Sequence, residues 1–160
     1  MAVFTSAELL DIAVGIERNG VAYYDSLSQT AGDSALKRTY GQLADMERHH
    51  VDVFQQMRRA LSGAGAVVPV EDEAEYGAYL KALIDSSVFT DDRVARELAR
   101  RAGGPAEALQ LALGAEKDSI LFYIEMRDLV PQRQREAVDN IINEERSHVR
   151  QLSELKQRYS

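Results

Sequence analysis

The chain has 160 residues, of which 45% are hydrophobic, and this length and composition fit one globular domain with its own core. The formal net charge of -7 comes from 26 acidic and 19 scattered basic residues, which argues against a surface for nucleic acids or anionic membranes. The chain contains no cysteine, so disulfides, thiolate nucleophiles and iron-sulfur centres are excluded, and any metal ion must bind nitrogen and oxygen ligands.

The N-terminal segment MAVFTSAELL predicts neither export nor membrane insertion. It lacks the basic region and the cleavage site of a secretion signal. Elsewhere no uncharged apolar run approaches the roughly 18 residues that a membrane span needs. We therefore expect a cytoplasmic protein with no membrane or nucleic-acid partner.

The first helical hairpin is predicted over residues 5–63. The sequence TSAE fits a capping box at Thr5, so the first helix should start there and run to about Gln29. The segment TAGDS then interrupts the helical pattern. A second helix should start near Asp33 and end by Gly63.

A crossover with some structure of its own is predicted over residues 64–103. The runs EDEAEYGAYLKALI and DDRVARELARR each begin with acids, which favours a helix N-terminus, so two short helices are expected. Only AVVPV hints at a strand, and Pro69 interrupts it. Tyr76 and Tyr79 are expected either to pack on the bundle or to fill a dimer interface.

The second hairpin is predicted over residues 104–160. Pro105 in GGPAEAL marks the first turn of a third long helix, and Pro131 after LVP plays the same part for the fourth. The chain is therefore expected to be all-α, with two antiparallel helical hairpins joined by a long crossover. This is a standard connectivity of four-helix bundles.

The two hairpins are similar to each other in sequence, as expected for a duplication. VGIERNGVAYY from Val14 aligns with LGAEKDSILFY from Leu113, and DMERHHV aligns with NEERSHV. The duplicated part includes the polar residues that interrupt the apolar pattern. The aligned pairs are Gly15 with Gly114, Glu17 with Glu116, Tyr24 with Tyr123, Glu47 with Glu145 and His50 with His148.

Each long helix carries a carboxylate on its inward seam, where apolar residues recur every three or four positions, and no seam carries Lys or Arg. Antiparallel helices joined by a tight loop meet at equal residue counts from that loop, so the carboxylates of each hairpin should face each other at one level. The carboxylate and imidazole residues on the seams are Glu17, Glu47, His50, Glu116, Glu145 and His148.

Four bare carboxylates that face one another inside a bundle would be strongly destabilising, because each unpaired buried charge costs several kcal/mol. They must either take up protons or bind cations. Two divalent metal ions would balance the charge of four glutamates, and two imidazoles would add neutral nitrogen ligands. The spacing therefore predicts a dinuclear metal site.

Two helices each contribute one Glu, and the other two each contribute a Glu-x-x-His pair. This set resembles the ligands of ferritin-like di-iron carboxylate proteins, most closely those of the rubrerythrin-like members. The resemblance covers the four long helices. It implies a ferritin-like four-helix bundle with two iron ions, although manganese or zinc could occupy the same ligands. It also implies that all six residues are metal ligands, with Glu47 and Glu116, or their counterparts, bridging the ions and each His capping one.

The resemblance further implies a di-iron oxidoreductase of the peroxidase or ferroxidase type that reacts with dioxygen or hydrogen peroxide. Two alternatives stay open at the level of sequence. One is iron oxidation and storage of the ferritin or bacterioferritin kind, and the other is a non-catalytic metal-binding bundle whose crossover helices bind a partner. We expect a homodimer or a larger homo-oligomer, with no catalytic residue beyond the metal ligands.

The chain departs from the rubrerythrin pattern in two ways. Rubrerythrins that reduce peroxide carry a further Glu one turn after the third-helix ligand, where this chain has Ser119, so their redox-driven ligand switch is not expected. They also carry a cysteine-rich rubredoxin domain, so in this cysteine-free chain the electrons should come from an external donor. The chain also lacks a methionine just after Glu47, at the position that bacterioferritins use for haem, so haem is not expected.

Four further residues lie close to the predicted ligands in sequence. Tyr24 and Tyr123 follow the ligands of the first and third helices by two turns on the same faces, so they are candidates to donate hydrogen bonds to the ligands. The alternative for both is ordinary core packing. His49 is expected to be solvated, and Glu144, one residue off its seam, is expected to be a surface acid.

Overall fold

The computed structural model describes residues 4–63 and 73–160, which form helices and no strand. The AVVPV segment lies outside the described residues. None of the helices in the described ranges is long and apolar enough to cross a membrane. The prediction of an all-α fold is confirmed. The helices are α1 Ser6–Thr30, α2 Ser34–Arg59, α3 Glu73–Asp85, α4 Asp92–Arg101, α5 Pro105–Leu129 and α6 Arg135–Tyr159, with a 3-10 helix at Gln132–Gln134.

Local capping residues start the long helices close to the predicted positions. The Thr5 hydroxyl accepts a hydrogen bond from the Glu8 amide at 3.2 Å, and the Glu8 carboxylate accepts one from the Thr5 amide at 2.7 Å. These reciprocal bonds complete a capping box. Asp33 caps α2 by accepting bonds from two amides of the first turn, and Pro105 is the first residue of α5.

The second helix ends by Gly63, as predicted: α2 ends at Arg59, and Gly63 has a φ of 67° in the left-handed region that does not continue a helix. The predicted start of the fourth helix is wrong. Pro131 does not start α6, because a 3-10 turn intervenes. The Gln134 amide donates to the Pro131 carbonyl at 2.8 Å, and this i+3 bond closes a tighter turn before the α-helical bonds begin.

The long helices pair as two antiparallel hairpins, α1 with α2 and α5 with α6, and α1 also contacts α5. Their buried apolar side chains form two clusters. The inward polar side chains lie in a layer between these clusters. The cluster beside the α1–α2 loop includes Tyr23, Leu36, Tyr40, Leu109 and Leu152, and the cluster at the opposite end includes Leu10, Phe54, Phe122, Met126 and Ile141.

The crossover helices lie on the outside of the bundle, with α4 packed along α1 and α3 against α5. Tyr76 of α3 donates a hydrogen bond to the Glu125 carboxylate at 2.7 Å, so this tyrosine packs on the bundle. Tyr79 is 43% exposed. Packing on the bundle is therefore confirmed for Tyr76, and the dimer interface stays a prediction.

Candidate metal centre

The structure brings all six predicted residues together in the middle of the bundle. Each of the four long helices contributes a carboxylate, and α2 and α6 each add an imidazole one turn later. Each of these residues exposes 5% or less of its surface. They are Glu17 on α1, Glu47 and His50 on α2, Glu116 on α5, and Glu145 and His148 on α6.

The six side chains form two overlapping groups, each with one oxygen or nitrogen per residue and all of these atoms within 4.8 Å of one another. Both groups contain Glu47 and Glu145, so these are the carboxylates that lie between the two groups. Glu116 belongs to one group only, so of the expected pair, Glu47 and Glu116 or their counterparts, the grouping favours Glu47 and its counterpart Glu145 as the shared carboxylates. The first group is Glu17, Glu47, His50 and Glu145, and the second is Glu47, Glu116, Glu145 and His148.

Both imidazoles turn Nδ1 into the cluster. Nδ1 of His50 lies 2.9 Å from Oε1 of Glu145 and 3.3 Å from Oε2 of Glu17. Nδ1 of His148 lies 3.1 Å from Oε2 of Glu145 and 3.5 Å from Oε1 of Glu47. Each ring therefore presents a nitrogen to one of the two groups, in the position that a metal ligand requires.

Two carboxylate oxygens at the centre of the cluster lack a proper hydrogen bond. Oε1 of Glu47 and Oε1 of Glu145 are buried and accept no hydrogen bond of acceptable geometry from the described residues, although Nδ1 of His50 lies 2.9 Å from Oε1 of Glu145 as an ion-pair contact. A buried acceptor without a donor is destabilising, and a cation would satisfy both oxygens. Carboxylate oxygens and imidazole nitrogens also suit iron and manganese. The residues present therefore fit a pair of divalent ions.

The shared carboxylates favour protons when no cation is bound. Burial raises the pKa of Glu47 well above its ordinary value, and the negative charges of Glu145 and Glu17 raise it further. Burial likewise raises the pKa of Glu145, with a further contribution from Glu116. Burial and the neighbouring negative charges therefore favour the protonated form of both side chains when no cation is bound.

The other four groups form ion pairs. Burial raises the pKa of Glu17 and of Glu116, but hydrogen bonds with neighbouring histidine and glutamate side chains outweigh burial, so both pKa values lie below the ordinary value. Burial lowers the pKa of His50, yet bonds with the carboxylates raise it to about 11, and the pKa of His148 rises to about 10 in the same way. Two imidazolium ions thus balance two carboxylates in the metal-free protein.

Two tyrosines hold the outer carboxylates, and each does so across the bundle. The Tyr24 hydroxyl on α1 donates to Oε1 of Glu116 at 2.5 Å. The Tyr123 hydroxyl on α5 donates to Oε1 of Glu17. Burial raises the pKa of both tyrosines well above the ordinary value, so both remain donors. The tyrosine of each hairpin therefore orients the carboxylate of the other.

Gly20 allows α1 to approach the cluster closely. A Cβ atom at this position would lie 2.6 Å from Oε2 of Glu47, which is closer than a real Cβ contact. Ser119 occupies the aligned position on α5 and donates a hydrogen bond to the Ala115 carbonyl at 3.0 Å. The glycine thus leaves the space that the Glu47 side chain occupies.

Sequence reasoning missed the role of Glu144. Oε2 of Glu144 lies 2.5 Å from Nε2 of His50, so it contacts a predicted ligand from outside the cluster, although the side chain is 39% exposed. The expectation of a plain surface acid is therefore incomplete, because a long side chain one position off the seam can still reach a neighbouring helix. His49 is exposed and belongs to neither group.

Comparison with known proteins assigns the chain to a family. A solved structure from Thermotoga maritima, of a protein proposed to be a ferritin-like diiron-carboxylate protein, matches with a TM-score of 0.79 and 26% identity, covering 100% of this chain and 99% of that chain. No curated protein sequence matches the chain. The fold is therefore the ferritin-like bundle that the sequence predicted. Because the model of the rubrerythrin family matches residues 8–156, the chain belongs to the rubrerythrin family.

Proposed function

We propose that this chain is a di-iron oxidoreductase that reacts with dioxygen or hydrogen peroxide. The observation that carries the proposal is the pair of buried Glu/His groups that share two carboxylates. Family membership supports iron as the metal, although manganese and zinc suit the same oxygen and nitrogen ligands. A bound iron pair would supply electrons for the reduction of an oxygen–oxygen bond.

The positions of the six side chains suggest how they divide between two ions. The residues found in one group only would each hold one ion, and the two shared carboxylates would contact both. On this assignment Glu17 and His50 would hold the first ion and Glu116 and His148 the second, while Glu47 and Glu145 would be available to both.

The protein's own groups would keep the centre neutral and fixed in position. The pKa values of Glu47, Glu145, His50 and His148 are all raised in the metal-free cluster, so divalent ions would bind in exchange for protons. The Tyr24 and Tyr123 hydroxyls would keep the outer carboxylates in place during this exchange. Each of the six residues exposes 5% or less of its surface, so contact with solvent is small.

The reaction also needs partners from outside the chain. Because the chain has no cysteine, we propose an external electron donor.

We also propose a homodimer or a larger homo-oligomer, which light scattering would test. A cage-sized assembly would instead favour iron storage of the ferritin kind.

Rapid mixing tests the proposed activity directly. The protein is loaded anaerobically with two equivalents of Fe(II), mixed with hydrogen peroxide, and followed by absorption. We expect fast oxidation in the wild type and in the Glu154→Gln control, which changes an exposed glutamate on α6. Oxidation in the E47A/E116A variant should be no faster than that of free Fe(II). Equal rates for the wild type and E47A/E116A would overturn the proposal.

A further inference from the structure

A cavity of about 500 Å³ opens from the surface between α1, α5 and the end of α3, and it reaches the metal centre. Glu47, Glu116 and Tyr24 line its buried side. The loop between α3 and α4 covers it and is tied to both long helices. Nδ2 of Asn19 donates to the Phe89 carbonyl at 3.1 Å, and the Val88 amide donates to the Asp118 carboxylate at 2.8 Å.

The cavity is much larger than the proposed oxidants require. A water-sized molecule occupies about 30 Å³ of liquid volume, whereas about 300 to 1,000 Å³ is typical of pockets for small organic ligands. Small residues on the two long helices contribute to this space. Gly15 and Gly20 of α1 and Ser119 of α5 all line the cavity.

The walls indicate the chemistry of the ligand. They include the apolar side chains of Ile12, Ile16, Ile84, Phe89 and Phe122. The lining carries one basic residue, Arg18, and more acids, such as Asp91 and Asp92, so its net charge disfavours an anion. An uncharged, mostly apolar molecule fits such walls best.

We propose that this cavity binds a small uncharged organic molecule, aromatic or alicyclic and of one or two rings, beside the metal centre. The proposal deepens the proposed function, on which it rests, by naming the class of molecule that would meet the metal ions. Binding of the ligand does not require the redox reaction, so it can be measured in zinc-loaded protein.

The test uses indole and cyclohexanol as probes of the zinc-loaded protein, followed by amide NMR shifts. We expect saturable shifts for residues that line the cavity. Gly15→Phe should fill it, because a Cβ at Gly15 meets no atom within 4 Å, and should weaken binding by about tenfold or more. Gly15→Ala is the matched control, since it changes the same backbone position but leaves the cavity open.

Two results would overturn the proposal. One is the absence of shifts at the cavity residues up to the solubility of both probes. The other is equal binding by Gly15→Phe and Gly15→Ala when both hold two zinc ions. A protein that binds the probes but fails to react with peroxide would contradict the proposed activity and leave the cavity assignment in place.

A second, independent inference concerns Glu144. Nδ1 of His50 faces the cluster while Nε2 lies 2.5 Å from Oε2 of Glu144. A neutral histidine that binds metal through Nδ1 carries its proton on Nε2, and a carboxylate at that position fixes the ring and raises its basicity. On α2 of the first hairpin, the position that aligns with Glu144 is Met46. Its thioether accepts hydrogen bonds only weakly, so the first hairpin supplies no such carboxylate.

We infer that Glu144 is a positioning residue that makes the two metal positions unequal. The position next to His50 should bind its ion more tightly than the position next to His148. Loss of such an outer partner typically lowers metal affinity by about 10- to 100-fold. The inference rests on metal binding at the proposed centre and does not depend on reaction with an oxidant.

Cobalt(II) titration with a competing chelator measures both positions by absorption. We expect two distinct steps in the wild type, and the tighter step should weaken about tenfold or more in Glu144→Met. Glu144→Gln should recover most of the affinity, because its carbonyl oxygen can still accept from Nε2. The paramagnetically shifted Nε2 proton of His50 should exchange faster with solvent in Glu144→Met only. Unchanged steps and exchange in Glu144→Met would overturn the inference.

Discussion

The two hairpins bring equivalent carboxylates and imidazoles to the candidate metal centre but surround them differently. Each supplies one lone Glu, one Glu-x-x-His pair and one tyrosine that bonds across the bundle. The first hairpin has Gly20 where the second has Ser119, and it has Met46 where the second has Glu144. The residues that charge balance requires are therefore the same in both hairpins. The residues that control the space around them and their orientation differ.

Removal of a shared carboxylate should have the largest effect and should be the same for both hairpins. Glu47→Gln and Glu145→Gln each take away a group that lies in both metal positions, so each variant should bind at most one ion per chain. Glu17→Gln and Glu116→Gln should each weaken one position only. Elemental analysis after loading and desalting measures this, with Glu154→Gln as the control. Two ions in Glu47→Gln would show that Glu47 is not a shared ligand.

Metal removal should expose a pH dependence that the loaded protein lacks. The pKa values of His50 and His148 are raised in the fold from 6.5 to about 11 and about 10. Their protonation stabilises the fold fully below pH 6.5, and this stability is lost as the pH rises toward those values. The Tm of chelator-treated protein should therefore fall by several degrees between pH 6.5 and 9.5. A flat profile, or an equal fall in zinc-loaded protein, would contradict the paired imidazolium ions.

A methyl group at the aligned small residues should distinguish the two hairpins. Gly20→Ala places a Cβ 2.6 Å from Oε2 of Glu47, so the carboxylate must move at a cost of about 1–3 kcal/mol, with weaker metal binding. Ser119→Ala only removes a bond to a backbone carbonyl and should change stability by about 0.5–1.5 kcal/mol. Chemical denaturation with and without zinc gives both values. Equal zinc affinities in the two variants would mean that the Glu47 position does not depend on Gly20.

The crossed tyrosines should give the smallest and most symmetrical effect. Tyr24→Phe and Tyr123→Phe each remove a donor to a ligand carboxylate, which should lower metal affinity about tenfold. Tyr40→Phe is the control, because its buried hydroxyl has no hydrogen-bond partner among the described residues. Chelator competition measures all three variants. A tenfold loss in Tyr40→Phe would show that the effect comes from packing rather than from the bond to the ligand.

Much of this molecule can be predicted from local pattern. The helical period and the caps at Thr5 and Asp33 place the helices, and the absence of basic residues on the seams identifies the six inward groups. These features depend on residues close in sequence. Glu17 and Glu47 lie at the same level along the bundle axis because the loop between their helices is short.

The features that were missed depend on how the hairpins meet. Whether Glu116 or Glu145 is shared depends on the sideways offset between α5 and α6, which residue counting does not give. Contact of Glu144 with His50 depends on the distance between α6 and α2. The cavity exists because the loop after α3 lies over α1 and α5, and no periodicity within a single helix encodes that placement.

The crossed hydrogen bonds from Tyr24 and Tyr123 bear on the origin of the fold. A forerunner with one hairpin would lack a tyrosine aimed at its own glutamate, and would complete the centre only by pairing with an identical subunit. Gene fusion of such a pair keeps every contact while freeing the halves to diverge. Glu144 and Met46 are the kind of difference that only a fused chain can acquire.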